Sequence, residues 1–201
     1  MEIVPLSQTI GAEVRGVDLG RPLDAATRQA LEAAWQKHIV LLFRDQDLDQ
    51  DAQIAFANQF GEVGSRARPV DRRPEGADYN ASIMLVSNAK ENGKYIGSLP
   101  DGEMWFHHDM CYDYATRETV DISDDISKYK HFVQPLSVTH PVTGRRALYV
   151  NPLMTARVEN LPEPESRDLL AELFAFADNS EIVYEHVWRK GDLMMWDNWC
   201  S

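Results

Sequence analysis

The chain has 201 residues, 44% hydrophobic and 26% charged, enough for one soluble domain with a real core. A formal net charge of −12 and a pI near 4.9 argue against nucleic acid or an anionic membrane as partner. They leave room for a small anionic substrate held by a few local arginines. No apolar run reaches the roughly 18 residues of a membrane helix, and Met1–Pro5 lacks the basic and apolar regions of a signal peptide. Cys111 and Cys200 form no framework pattern, so a reducing compartment, the cytoplasm, is expected, with both thiols free.

Residues 1–20 alternate as strands do, with Ile10, Val14 and Val17 among polar residues and glycines. Asp24 is placed to cap a helix that carries Leu31, Ala34, Trp35 and His38 on one stripe. Ile39 to Phe43 is a short apolar run bounded by charge and reads as a buried strand. Asp49 caps a second helix through Ile54, Phe56 and Phe60, stopped by Gly61. Residues 64–80 read as a surface loop and Ile83 to Val86 as a strand. Asn92-Gly93 and Pro100-Asp101-Gly102 are turn signals.

Further on, Val133 to Val138 and Ala147 to Val150 read as strands around the turn Pro141-Val142-Thr143-Gly144. Pro162 opens a helix with Leu169, Leu170, Leu173 and Phe174. Ile182 to Trp188 alternates again, Lys190-Gly191-Asp192 makes a turn, and Leu193 to Trp196 is a last strand. Many short strands with a few helices outside suggest a jelly-roll barrel with peripheral helices.

The chemistry concentrates in Trp105-Phe106-His107-His108-Asp109-Met110-Cys111-Tyr112. On an extended strand His107 and Asp109 share a face, and His108 points to the other. An imidazole nitrogen and a carboxylate oxygen so placed can grip one metal ion from one side. A distant histidine would complete a two-His-one-carboxylate triad, which leaves positions open for a co-substrate and dioxygen. The aromatic flanks would wall a pocket. Spacing alone is a weak signal, and a buried strand with an ordinary His–carboxylate contact is the competing reading. The residues leave the third ligand open. His38 fits a core or boundary place on its helix, His131 and His140 sit near turns, and His186 could face either way.

Several blocks in order resemble one family. They are Ile10 to Leu19, Val40-Leu41-Leu42-Phe43-Arg44, Phe60-Gly61-Glu62, Trp105 to Asp109, Thr139 to Arg145, Leu148-Tyr149-Val150-Asn151, and Gly191-Asp192 to Trp196-Asp197-Asn198. Together they resemble the taurine and phenoxyacetate dioxygenases, the TauD/TfdA family, which depend on iron(II) and 2-oxoglutarate. The resemblance implies a mainly β fold with peripheral helices, a double-stranded β-helix (jelly roll, cupin-like). It implies His107 and Asp109 as iron ligands, with Fe(2+), 2-oxoglutarate and O2 as the cofactor and co-substrates. It places Arg66, Met154 and Trp196 at the substrate pocket. The implied activity is hydroxylation of a small organic acid, aryloxyalkanoate- or sulfonate-like, with release of succinate and CO2. The apolar Met104, Met110 and Met154 favour an aryloxyalkanoate. A homo-oligomer, dimer or tetramer, is compatible with this reading.

The same resemblance implies a single domain over 1–201 that is incomplete. The third histidine is expected just after Ser201 and the 2-oxoglutarate arginine later still. The segment with the co-substrate threonine is expected between 112 and 119. Two alternatives stand beside it: a non-catalytic jelly-roll homologue, and a cupin-type metal enzyme of another reaction class with His186 as third ligand.

Overall fold

The computed structural model describes residues 1–65, 73, 79–98, 106–109 and 132–200. Its central sheet has the order β1-β2-β3-β8, from β1 (Glu2–Pro5), β2 (Ala12–Arg15), β3 (Val40–Phe43) and β8 (Leu193–Trp196). The single run expected over residues 1–20 is an antiparallel hairpin, with Ile3 opposite Val14. β2 runs parallel to β3, and β3 pairs antiparallel with β8, Val40 opposite Trp196 and Phe43 opposite Leu193. A strand covered on both faces reads as an unbroken apolar run rather than an alternating one. Val40, Leu41, Leu42 and Phe43 are accordingly all buried.

Helix α1 (Ala25–His38) starts where Asp24 accepts from the Thr27 N–H at 2.8 Å, and buries Leu31 and Ala34. It ends at Ile39, whose φ of 69° is unusual for a β-branched residue. Two hydrogen bonds hold Ile39 there: its N–H donates to Trp35 O at 2.7 Å, and its carbonyl accepts from Asp197 N at 2.9 Å. Helix α2 (Gln50–Ala57) is capped by Asp49, which accepts from Ala52 N, and gives way to a turn before Gly61. Phe43, Phe56, Phe60 and Trp35 then meet edge to face in series, with centroids 5.8, 5.2 and 6.2 Å apart. Phe43 and Phe56 belong to the core with Ala12, Val14, Leu19, Leu31, Ala34 and Leu41, and Trp35 and Phe60 pack against it.

Two small hairpins complete the described sheets. β4 (Lys90–Glu91) and β5 (Lys94–Tyr95) close on Asn92-Gly93, whose φ values of 51° and 77° suit the tight turn expected there. β6 (Ser137–Thr139) and β7 (Arg146–Leu148) flank the turn of residues 140–145. Helix α3 (Glu163–Ala177) follows Pro162 and buries Leu170 and Ser166. Among the described residues, no helix is long and apolar enough to cross a membrane.

Ile83 to Val86 and Ile182 to Trp188, both expected as strands, do not form as such among the described residues. Ile83 to Val86 contributes only an isolated bridge from Val86 to Ser98. Ile182 to Trp188 is irregular: the Ile182 and Val183 N–H groups turn back onto Asn179 O. Its alternation is real at the side chains, since Tyr184, His186 and Trp188 stack in succession at 5.9 and 4.7 Å. Alternation needs a partner strand to become a ladder. Neither segment has one over its length among the described residues.

Candidate active site

Phe106 to Asp109 carries the His-x-Asp pair, but not as a ladder strand: residues 106–108 are irregular and Asp109 lies in a turn. The pair meets nonetheless. His107 Nε2 lies 3.2 Å from Asp109 Oδ1, and both side chains reach solvent, 27% and 54% exposed. Two donors about 2.1 Å from one metal, at right angles, stand about 3.0 Å apart. The pair therefore fits adjacent positions on one ion with little movement.

His108 is committed elsewhere. Its Nδ1 accepts from the Asn151 carboxamide at 3.2 Å, and its ring packs on Tyr149 at 4.9 Å. Burial, with His107 adding a smaller push, holds its pKa below the usual histidine value. Asn151 is itself buried and fixed, accepting from Met154 N at 2.8 Å.

His107 and Asp109 line a cleft of about 620 Å³ with Phe106, Ile39, Leu148, Met194, Trp196 and Asn198. Trp196 thus lines the cleft. Met154 is not among its lining residues, and its side chain is 51% exposed. It sits in the turn after Asn151, where its backbone, not its thioether, is held. Arg66 lies outside the described residues, as do Met104, Trp105, Met110 to Tyr112, His131 and the 112–119 stretch.

His186, the third ligand of the cupin alternative, does not join the pair. Its Nδ1 takes the Tyr184 hydroxyl at 3.0 Å and its Nε2 donates to Asp192 Oδ2 at 3.0 Å. With both ring nitrogens used, it is a structural residue. Asp192 is buried and also receives Arg44 Nη1, at 2.9 and 3.1 Å, and the Arg189 N–H. Burial raises the Asp192 pKa, but the Arg189 N–H, His186 and Arg44 outweigh it, so the carboxyl stays below its ordinary value. His38 is half-buried at the end of α1, where burial lowers its pKa.

One cluster of three metal-capable groups forms among the described residues, from His140, Asp197 and Cys200, with ligand atoms within 4.8 Å of one another. Its hydrogen bonds argue against a metal. His140 Nδ1 accepts from Thr143 N at 3.0 Å and Val142 N at 3.3 Å, so Nε2 carries the proton and donates to Asp197 at 2.8 Å. Burial, with Asp197 adding to it, pushes the Cys200 thiol up, away from the thiolate that binds metals. His140, placed beside a turn, is nonetheless buried, at 5% exposure. The signal lay in Thr139-His140-Pro141 and Trp196-Asp197-Asn198, but their contact is tertiary.

The family model described as "Taurine catabolism dioxygenase TauD, TfdA family" matches residues 2–120 and 113–201. The chain belongs to this family. A 2,4-dichlorophenoxyacetate dioxygenase of Cupriavidus pinatubonensis, named as alpha-ketoglutarate-dependent, is 28% identical, covering 98% of this chain and 88% of the relative. An (S)-phenoxypropionate/alpha-ketoglutarate-dioxygenase of Sphingobium herbicidovorans is 28% identical, covering 99% and 87%. Among solved structures, AAD-2 in complex with Mn(II) and N-oxalylglycine superposes with a TM-score of 0.76 at 25% identity, covering 98% of this chain and 89% of that one. The fold is the jelly roll of these TauD/TfdA relatives, with helices outside. TauD/TfdA dioxygenases use iron(II), 2-oxoglutarate and O2.

Proposed function

We propose that this TauD/TfdA protein is an iron(II)- and 2-oxoglutarate-dependent dioxygenase that hydroxylates a small organic acid, releasing succinate and CO2. The carrying observation is the His107 Nε2–Asp109 Oδ1 pair, 3.2 Å apart on the wall of a cleft. Aryloxyalkanoates are the favoured substrates, because the relatives at 28% identity are named for phenoxyacetate and phenoxypropionate.

Bound iron with its co-substrates would supply the oxidising power to place oxygen on a substrate C–H bond. The chain's residues supply the rest. His107 and Asp109 would hold the ion on one face. Phe106, Ile39, Leu148 and Trp196 would seat an apolar body and keep water out. Arg145, also on the cleft, brings a guanidinium of the kind that takes a carboxylate. We propose that the third ligand comes from outside the described residues, since among them no third histidine, cysteine or carboxylate joins the pair.

We also propose that this chain lacks, between 112 and 119, a segment that its relatives carry. Two features support this. The family match breaks into two pieces that overlap within residues 113–120. The alignment with the Cupriavidus enzyme spans 258 positions against 201 residues here, so at least 57 stand against gaps.

The test is anaerobic titration of the purified protein with iron(II) and 2-oxoglutarate, followed by succinate measurement with phenoxyacetates, phenoxypropionates and taurine. The expected result is a weak visible charge-transfer band, absent in His107→Ala, and succinate release coupled to an aryloxyalkanoate. Absence of both the band and succinate would overturn the proposal.

A further inference from the structure

The residues that place the metal-binding pair are as informative as the pair. Asp109 N donates to Asn198 Oδ1 at 3.0 Å, and Asn198 Nδ2 donates back to Asp109 O. One carboxamide thus makes both backbone hydrogen bonds that a neighbouring strand would make. The exchange matters because residues 106–109 form no ladder. Among the described residues, Asn198 is the sole group bonded to the Asp109 backbone.

The backbone leading into Asn198 is held in turn. Asn198 directly follows Asp197, the residue after β8. Asp197 N donates to Ile39 O at 2.9 Å, its Oδ2 accepts from His140, and its Oδ1 accepts from Trp199 N at 3.0 Å. The central sheet, the end of α1 and the 140–145 turn therefore all converge on Asp197, the residue directly before the clamp. From the other side, Asn151 fixes the His108 ring. Two asparagines thus pin His107-His108-Asp109, and of the two Asn198 is the one that acts on the Asp109 backbone.

We infer that Asn198 is the positioning residue of the metal site: its carboxamide replaces a missing strand partner and sets the backbone from which the Asp109 carboxylate reaches the ion. This rests on the reading of His107 and Asp109 as metal ligands. A flexible Asp109 would have to be ordered each time metal binds, and that ordering entropy would weaken affinity.

The probe is manganese(II), with free ion counted by electron paramagnetic resonance, on the wild-type protein, Asn198→Ala and Asn198→Ser. Thermal melting is run alongside. Asn198→Ala is expected to bind manganese(II) about tenfold more weakly, the lower end of what orienting partners outside the ligand set contribute. Wild-type binding with equal affinity in a folded Asn198→Ala protein would overturn the inference. Lack of binding by the wild type would instead overturn the metal site itself. If Asn198→Ala fails to fold, Asn198→Ser carries the same comparison. Hydrogen exchange of the wild-type, metal-free protein gives an independent readout. Asp109 is exposed, so a slowly exchanging Asp109 amide supports the clamp and a freely exchanging one overturns it.

Discussion

His140 donates its Nε2 proton to Asp197 across 57 residues of sequence, and both side chains are almost fully withdrawn from water, at 6% and 13% exposure. The Val142 and Thr143 N–H groups occupy the other ring nitrogen, so the tautomer is set by the turn that carries the histidine. The bond fastens the β6–β7 hairpin to the end of β8. Removing one partner leaves the other buried and unsatisfied. His140→Ala is therefore expected to lower unfolding stability by about 2–3 kcal/mol, measured by urea denaturation. A loss below about 0.5 kcal/mol would place this bond among those with little net worth.

Asp192 gathers Arg44, His186 and the Arg189 N–H onto one buried carboxylate. Its folded pKa lies below the ordinary value. The stabilisation is thus fully present above the unfolded carboxyl pKa, and is lost as pH falls from there through the folded pKa. Asp192→Asn should flatten the acid limb of the stability–pH curve below the ordinary carboxyl pKa of roughly 4. At neutral pH the same change should cost about 3 kcal/mol, because Arg44 loses its counter-charge and finds a donating NH2 in place of one acceptor oxygen. Melting temperature against pH for both proteins checks the sign and the window.

Gly191 has φ of 84°, and a Cβ there would lie 3.1 Å from Gln46 O and 3.3 Å from Asp45 Cα. Its own carbonyl accepts from Gln46 N at 2.8 Å, so the turn cannot back away without breaking that bond. Gly191→Ala should cost about 1–3 kcal/mol, seen as a shifted urea midpoint at unchanged m-value. No shift would mean that the turn can move.

His107 and His186 separate the oxygenase reading from the cupin alternative. His186 has both nitrogens committed to Tyr184 and Asp192, whereas His107 faces Asp109 at the cleft. His107→Ala should weaken manganese(II) binding about a hundredfold or more. His186→Gln should leave affinity within about twofold while lowering the melting temperature. The opposite pattern would restore His186 as a ligand.

Local chemistry decides local structure, and those features were legible in the residues. Asp24 and Asp49 cap their helices because a short carboxylate before a helical run meets free N–H groups. Val40 to Phe43 is buried because an unbroken apolar run must be covered on both faces. Asn92-Gly93 and Gly191 turn because they tolerate positive φ. The His107–Asp109 pair was also visible, since two residues one apart can share a face whether or not a ladder forms.

Tertiary structure decided what depends on residues far apart in sequence. Ile182 to Trp188 has the alternation of a strand and no partner strand, so it stays irregular. Arg44 and Asp192 lie 148 residues apart, and Asn198 and Asp109 lie 89 apart. No periodicity encodes such a meeting. It arises because β3 and β8 are neighbours in one sheet. The sheet brings the end of β8 to the His-x-Asp segment. There a side-chain amide supplies hydrogen bonds that a strand would otherwise supply.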